Sequence, residues 1–203
     1  MNLSSKLIEQ AVTELNRLPG IGKKTALRLA LHLLNKPKEE TTALSNALVK
    51  LRTEICYCKK CFNIADTQTC SICEDKNRNH GLVCVVESMR DVIAIENTNQ
   101  YRGVFHVLGG VISPIDGIGP DQLKITNLIT RIEENSITEI VLALSPTMEG
   151  DTTNFYLSKQ LTKFKDLTVT TLARGVSFGG DLQYVDEVTL ARSLAARRPY
   201  EQG

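Results

Sequence analysis

No apolar run in this chain approaches the roughly eighteen residues that a membrane-spanning helix requires. The opening Met1-Asn2-Leu3-Ser4-Ser5-Lys6 lacks a basic stretch followed by an apolar core, so no secretory leader is expected and the protein is expected in the cytoplasm. Charge of one sign is lacking too, since the net value of +1 over 203 residues names no partner. What remains is ordinary for a folded protein: 42% hydrophobic residues, and length enough for one large domain or two small ones.

The near-neutral total hides an asymmetry. Residues 1–61 carry 11 Lys and Arg against 5 Glu, a balance of +6, whereas residues 62–203 carry 13 Lys and Arg against 18 Asp and Glu, a balance of −5. A basic module able to face nucleic acid is therefore joined to an acidic one.

Between them lie two C-x-x-C pairs, Cys58/Cys61 and Cys70/Cys73, separated by eight residues. Each pair can grip one face of a tetrahedral Zn²⁺ ion, and four thiolates would close its coordination sphere, which makes a structural ion. Its binding free energy, about 10 to 16 kcal/mol in zinc-finger peptides, would become folding free energy for a segment too short to fold otherwise. A redox dithiol should open a helix after a strand, and a disulfide framework should accompany a secretory leader; neither context is present. Cys56 is an alternative to Cys58 as ligand, but Cys56-Tyr57-Cys58 lacks the two-residue spacing. Cys84, within the apolar run Val83 to Val86, reads as a small buried residue.

Before the cysteines the pattern is helical. Leu3, Leu7, Ile8, Ala11, Val12 and Leu15 form one helical face that should end near Leu18-Pro19-Gly20. A second run from Lys23 to Leu34 is closed by Asn35 and Pro37, and a third, from about Thr41 through Leu51, should pack on the first two. Gly20 and Gly22 lack a Cβ, so the hairpin between the helices can approach a phosphate closely, and N–H groups at the second helix's start can bond it. Lys23, Lys24 and Arg28 add charge; Lys24 and Arg28 share a helical face, and Lys23 sits at the hairpin's mouth. Such contacts read phosphate rather than base sequence. The bland alternative is an αα-hairpin with a solvated basic face. Gly22-Lys23-Lys24-Thr25 also echoes the end of a P-loop, but the upstream glycine and preceding strand are missing, so ATP is not expected there. His32, among leucines, reads as a packed or surface residue.

After the cysteines, strands alternate with helices. Strands are expected at 81–86, 104–108, 139–144 and 167–172, with helices at about 89–97, 121–134 and 152–164, giving a mainly parallel sheet. Glu87 follows the first strand, and Glu149 and Asp151 follow the third, so all three belong at the sheet's carboxyl edge, where α/β folds place ligands. With no basic partner nearby in sequence, they could hold Mg²⁺ through oxygen ligands or present an acidic patch to a basic protein. The alternative is solvated loop acids or helix caps, with Asp151 immediately before a helix starting at Thr152.

The order of these parts resembles the RecR family of bacterial recombination mediators over essentially the whole chain. Leu18-Pro19-Gly20-Ile21-Gly22 looks like its helix-hairpin-helix, Cys58 to Cys73 like its four-cysteine zinc finger, and Val85-Val86-Glu87-Ser88 like the first strand of its Toprim domain. Val107 to Gly110, Ser113 to Pro120 and Gly179 to Leu182 look nearly verbatim like family text. The resemblance implies an α+β multi-module protein: a helix-hairpin-helix DNA-binding module at 1–55, a four-cysteine zinc finger at 56–78, a Toprim domain at 79–174, and a C-terminal segment for subunit packing at 175–203. It also implies a non-catalytic DNA-binding mediator that acts with RecO and RecF to help load RecA onto single-stranded DNA, assembled as a ring-like tetramer. Lys23, Lys24 and Arg28 fall on the family's DNA-contacting segment, and Glu87, Glu149 and Asp151 on its Toprim acids, implicated in partner contacts.

There are departures. Ser145 stands for the usual Asn, Asp151 for a common Glu, and Ser177-Phe178 for a typical Pro-Val. Since Toprim folds also serve in primases, topoisomerases and nucleases, an Mg²⁺-dependent enzyme acting on DNA is the competing reading, although Glu149-Gly150-Asp151 imitates D-x-D only loosely.

Overall fold

The computed structural model describes residues 5–176, 179–197 and 199, and divides after Ile55 into two compact units. Ser177, Phe178, Arg198 and residues 200–203 of the C-terminal segment lie outside the described residues.

The first unit is helical: α1 (Lys6–Asn16), α2 (Lys23–Leu34) and α3 (Lys38–Glu54). Val12 of α1 packs with Ala26 and Ala30 of α2, and the two alanines let the helix backbones approach closely. Ile8, Leu15, Ile21 and Leu27 flank this small core. The third helix departs from expectation. It starts three residues before Thr41, directly after Pro37, and none of its residues is buried, so it does not join the α1/α2 core.

The second unit begins with a two-stranded antiparallel ribbon, β1 (Cys56–Tyr57) and β2 (Ile64–Ala65), and a short helix α4 (Ser71–Glu74). Then come β3 (Asn79–Val86), α5 (Met89–Glu96), β4 (Gly103–Val107), α6 (Ile125–Glu134), β5 (Glu139–Leu142), α7 (Met148–Leu161), β6 (Thr168–Thr171) and α8 (Glu187–Ala195). The sheet has the order β4-β3-β5-β6 and every pair in it is parallel.

Alternation along β3 supplies both faces. Val83 and Val85 enter a core with Leu128 and Ile132 of α6 and Leu157 and Leu161 of α7, whereas Cys84 and Val86 face Val92 of α5. Cys84 is buried as a small apolar residue.

Two helix starts in the second unit also differ from the sequence expectation. The region from Asp121 first makes a 3-10 turn at Pro120–Gln122, Leu123 is extended, and the α-helix begins only at Ile125. After β5 the error runs the other way: α7 starts at Met148, capped by Thr147, whose hydroxyl accepts from Gly150 N at 3.1 Å. Glu149 and Asp151 therefore sit within the first helical turn, and Asp151 is not the cap.

Although β4 is an edge strand, all five of its residues are buried. Its outer backbone groups are taken: Val107 N donates to Cys61 O at 2.8 Å, and Arg131 Nη1 donates to Phe105 O at 2.6 Å. The cysteine loop is thereby locked onto the sheet.

Candidate nucleic-acid interface and metal centre

The hairpin between α1 and α2 is built by three residues with separate tasks. Gly20 takes φ of +78°, a region costly for any residue with a Cβ. Ile21 turns inward to the α1/α2 core, and its N–H closes the turn on Leu18 O at 3.1 Å. Gly22 has an ordinary φ of −79° and caps α2 without a side-chain bond, so the first-turn N–H groups keep no side-chain acceptor. A Cβ at either glycine would meet open space. Lys23, Lys24 and Arg28 are all exposed, and none is in an ion pair among the described residues. Backbone donors and three unpaired cations thus share one helix end, an arrangement suited to polyanion. His32 is exposed on the same helix.

In the second unit, Cys58, Cys61, Cys70 and Cys73 are all buried, and their sulfurs lie within 4.8 Å of one another. Cys61 and Cys70 sulfurs are 3.5 Å apart. A tetrahedral ion with Zn–S bonds of about 2.3 Å puts its sulfurs roughly 3.8 Å apart, so the donor set and spacing fit Zn²⁺. Hydrogen bonding with Cys70 and Cys73, together with burial, pushes the Cys61 thiol up, while donation from Cys61 and Cys73 lowers Cys70. Four thiolates this close need a cation to ionise together. Cys56 lies outside the cluster and its thiol approaches the carbonyls of Ala65 and Thr67 at 3.2 and 3.0 Å.

The residue after Cys61 is Phe62, which adopts φ of +62° without being glycine. Its ring packs edge-on against His106 at 5.4 Å, and Lys124 Nζ sits 5.5 Å from its centre. His106 is fully buried; burial pushes it down to about 4, so the ring is neutral at neutral pH, and Nε2 donates to Lys124 O at 2.8 Å. Its Nδ1 has no partner among the described residues.

At the sheet's carboxyl edge, Glu87 directly follows β3 and lies 3.4 Å from the Ser145 hydroxyl. A cleft of about 560 Å³ opens beside it, lined also by Tyr57, Phe62, Met89 and Lys124. Glu149 is placed by Thr153, whose buried hydroxyl donates to Glu149 O at 2.7 Å and accepts from Ile112 N at 2.8 Å. Gly150 is obligatory, because a Cβ there would overlap the Ser145 carbonyl oxygen.

The acids do not act as one cluster. Among the described residues only the four cysteines bring three or more ligand atoms within 4.8 Å. Asp151, expected without a basic neighbour, is instead bonded by Arg174 at 2.5 Å with Arg192 at 3.8 Å. The hydrogen bond from Arg174 holds the Asp151 carboxyl below the usual range. Sequence reasoning missed these partners because they lie 23 and 41 residues further on.

Comparison with known proteins follows the same division. Residues 8–52 match the helix-hairpin-helix model of RecR, 55–75 its four-cysteine zinc finger domain, 81–173 the Toprim domain, and 175–198 the RecR C-terminal model. A Recombination protein RecR of Flavobacterium johnsoniae is 55% identical over 100% of this chain and 98% of its own length. Its counterpart in Flavobacterium psychrophilum is 56% identical over 99% and 97%, and that in Cytophaga hutchinsonii 57% over 99% and 98%. With full-length identity at this level and each part of the fold matched in order, this chain belongs to the RecR family.

Proposed function

We propose that the protein is a non-catalytic DNA-binding mediator of recombination and repair in the cytoplasm, acting with RecO and RecF to help load RecA onto single-stranded DNA, as a ring-like tetramer. The observation that carries DNA binding is the hairpin: Gly20 at positive φ, N–H groups after Gly22 with no side-chain cap, and Lys23, Lys24 and Arg28 beside them, in no ion pair among the described residues. Gly20 and Gly22 admit the phosphate, the lysines and Arg28 hold it, and no base edge is read. Family membership and relatives named as recombination proteins support the pathway.

Cys58, Cys61, Cys70 and Cys73 hold one structural Zn²⁺ per chain. The ion would neutralise the thiolates and fix the loop whose Cys61 carbonyl closes the β4 edge. Glu87 and Glu149, at the sheet's carboxyl edge, serve as an acidic contact for a basic partner, with Asp151 tied to Arg174 as the post that fixes this edge. An Mg²⁺-dependent Toprim enzyme is less well supported, because one of its three carboxylates is engaged by an arginine and the three do not converge.

The test is binding of single-stranded and duplex oligonucleotides, with and without RecO and RecF, by wild type and Lys23→Glu/Lys24→Glu. Mg²⁺-dependent cleavage or primer synthesis is assayed on the same samples beside Glu87→Gln. Binding that the hairpin variant loses, with DNA intact, supports the mediator. Binding undiminished in the hairpin variant overturns the hairpin assignment, and Mg²⁺-dependent cleavage or primer synthesis lost in Glu87→Gln overturns the non-catalytic one.

A further inference from the structure

A second cluster of cations lies in the unit that carries the cysteines, at the opposite end of the sheet from Glu87. A cleft of about 550 Å³ there is lined by Lys59 and Lys60 of the cysteine loop, His80 at the start of β3, Phe62, and Arg131 with Asn127 on α6. Glu134 is the one carboxylate among the lining residues. Lys59, Lys60 and Arg131 are in no ion pair among the described residues. Among the described residues Lys59 Nζ donates only to the Gln68 amide oxygen, at 2.9 Å.

Arg131 is the anchor of the cluster. It is half-buried, and one nitrogen of its planar guanidinium fork is spent on Phe105 O, leaving the others to donate. A partly buried cation without a carboxylate calls for an external anion. The loop backbone that carries the lysines is anchored beside it, because Val107 N holds the Cys61 carbonyl and Phe62 packs on His106. The cysteine loop and Arg131 are therefore both tied to β4 before any ligand arrives, which lowers the ordering cost of binding.

We infer that this cleft binds the backbone of single-stranded nucleic acid, giving the protein a second DNA-contacting surface apart from the hairpin. Two features select that ligand. The cations come from two separate elements, the cysteine loop and α6, on an open cleft, which suits successive phosphates. The half-buried Phe62 ring lines the same cleft, an aromatic surface on which a base can lie, and a positive groove with an aromatic is how sequence-tolerant single-strand sites are made. Duplex lacks an unstacked base to offer the ring.

The inference rests on the reading of the protein as a DNA binder, and one experiment separates the two. Full-length wild type, Lys23→Glu/Lys24→Glu, Lys59→Glu/Lys60→Glu and the four-fold variant are titrated with oligo(dT) over a range of salt, with zinc content measured on each. Loss of two phosphate contacts should lower the slope of log K against log salt by about 1.4 for single strands. The cleft variant is expected to show that loss with zinc retained, and the four-fold variant to show more than either pair alone. An oligonucleotide bearing 5-iodouracil should photocrosslink to the peptide containing Phe62, and Arg131→Lys, which keeps the charge but not the fork, should weaken binding several-fold. An unchanged slope in the cleft variant with no crosslink at Phe62 overturns the inference and leaves the hairpin untouched. Loss confined to the cleft variant removes the hairpin assignment and keeps the cleft. Loss of poly-glutamate binding with oligo(dT) binding unchanged would reassign the cleft to an acidic protein and overturn it.

Discussion

Gly150→Ala offers a sharp test of how the acidic edge is built. An alanine Cβ would overlap the Ser145 carbonyl oxygen, and a backbone atom cannot swing aside as a side chain could, so the loop or the start of α7 must move. Overpacking of this kind costs about 1 to 3 kcal/mol. The shift also stretches the 3.1 Å bond from Gly150 N to the Thr147 hydroxyl, a cap worth about 1 kcal/mol. Alanine's better helix propensity offsets about 1 kcal/mol, leaving a net loss of about 1 to 3 kcal/mol. All five tyrosines, Tyr57, Tyr101, Tyr156, Tyr184 and Tyr200, follow Ile55 and the chain has no tryptophan. Tyrosine fluorescence during urea unfolding thus reports the second unit alone, while circular dichroism reports both. With a urea slope of about 2 kcal/mol per molar, the fluorescence midpoint should fall by roughly 0.5 to 1.5 M. An unchanged midpoint would refute the close approach of α7 to Ser145.

The two hairpin glycines should part company. Gly20→Ala, forced to positive φ, should cost about 1 to 2 kcal/mol of first-unit stability by circular dichroism, whereas Gly22→Val should leave stability nearly unchanged and weaken DNA binding. Equal effects on stability would contradict this division. For the metal centre, Cys73→Ser should abolish zinc content and lower the second unit's midpoint while Cys56→Ser keeps the ion; zinc lost from the Cys56 variant would reassign the ligands. Arg174→Ala should cost less than about 1 kcal/mol at pH 7, since the pair is partly exposed. Because Arg174 depresses Asp151, its contribution is present above the unfolded carboxylate value of about 3.9 and fades as pH falls through the folded one. Wild type and variant should therefore converge in acid, and a gap that widens in acid would refute the pairing.

Local pattern made much of this legible. The α2 boundaries, Lys23 and Leu34, were readable from apolar spacing between a glycine and an asparagine, and the cysteine cluster from its doubled spacing. The start of α7 was not, because Pro146 and Gly150 look like loop residues until the close approach to Ser145 is known. Nor could periodicity show that α3, amphipathic on paper, buries nothing. Contacts distant in sequence were hidden altogether. Asp151 with Arg174, the Cys61 carbonyl on Val107, and Arg131 beside Lys59 and Lys60 exist only because the sheet brings them together.

The measurement that bears most directly on the central claim is the salt dependence of DNA binding by wild type and by Lys23→Glu/Lys24→Glu. A phosphate clamp predicts a steep fall of affinity with salt, insensitivity to base sequence, and a slope reduced by about 1.8 on duplex when two contacts are lost. A salt-independent affinity, or a variant whose slope matches wild type, would contradict it.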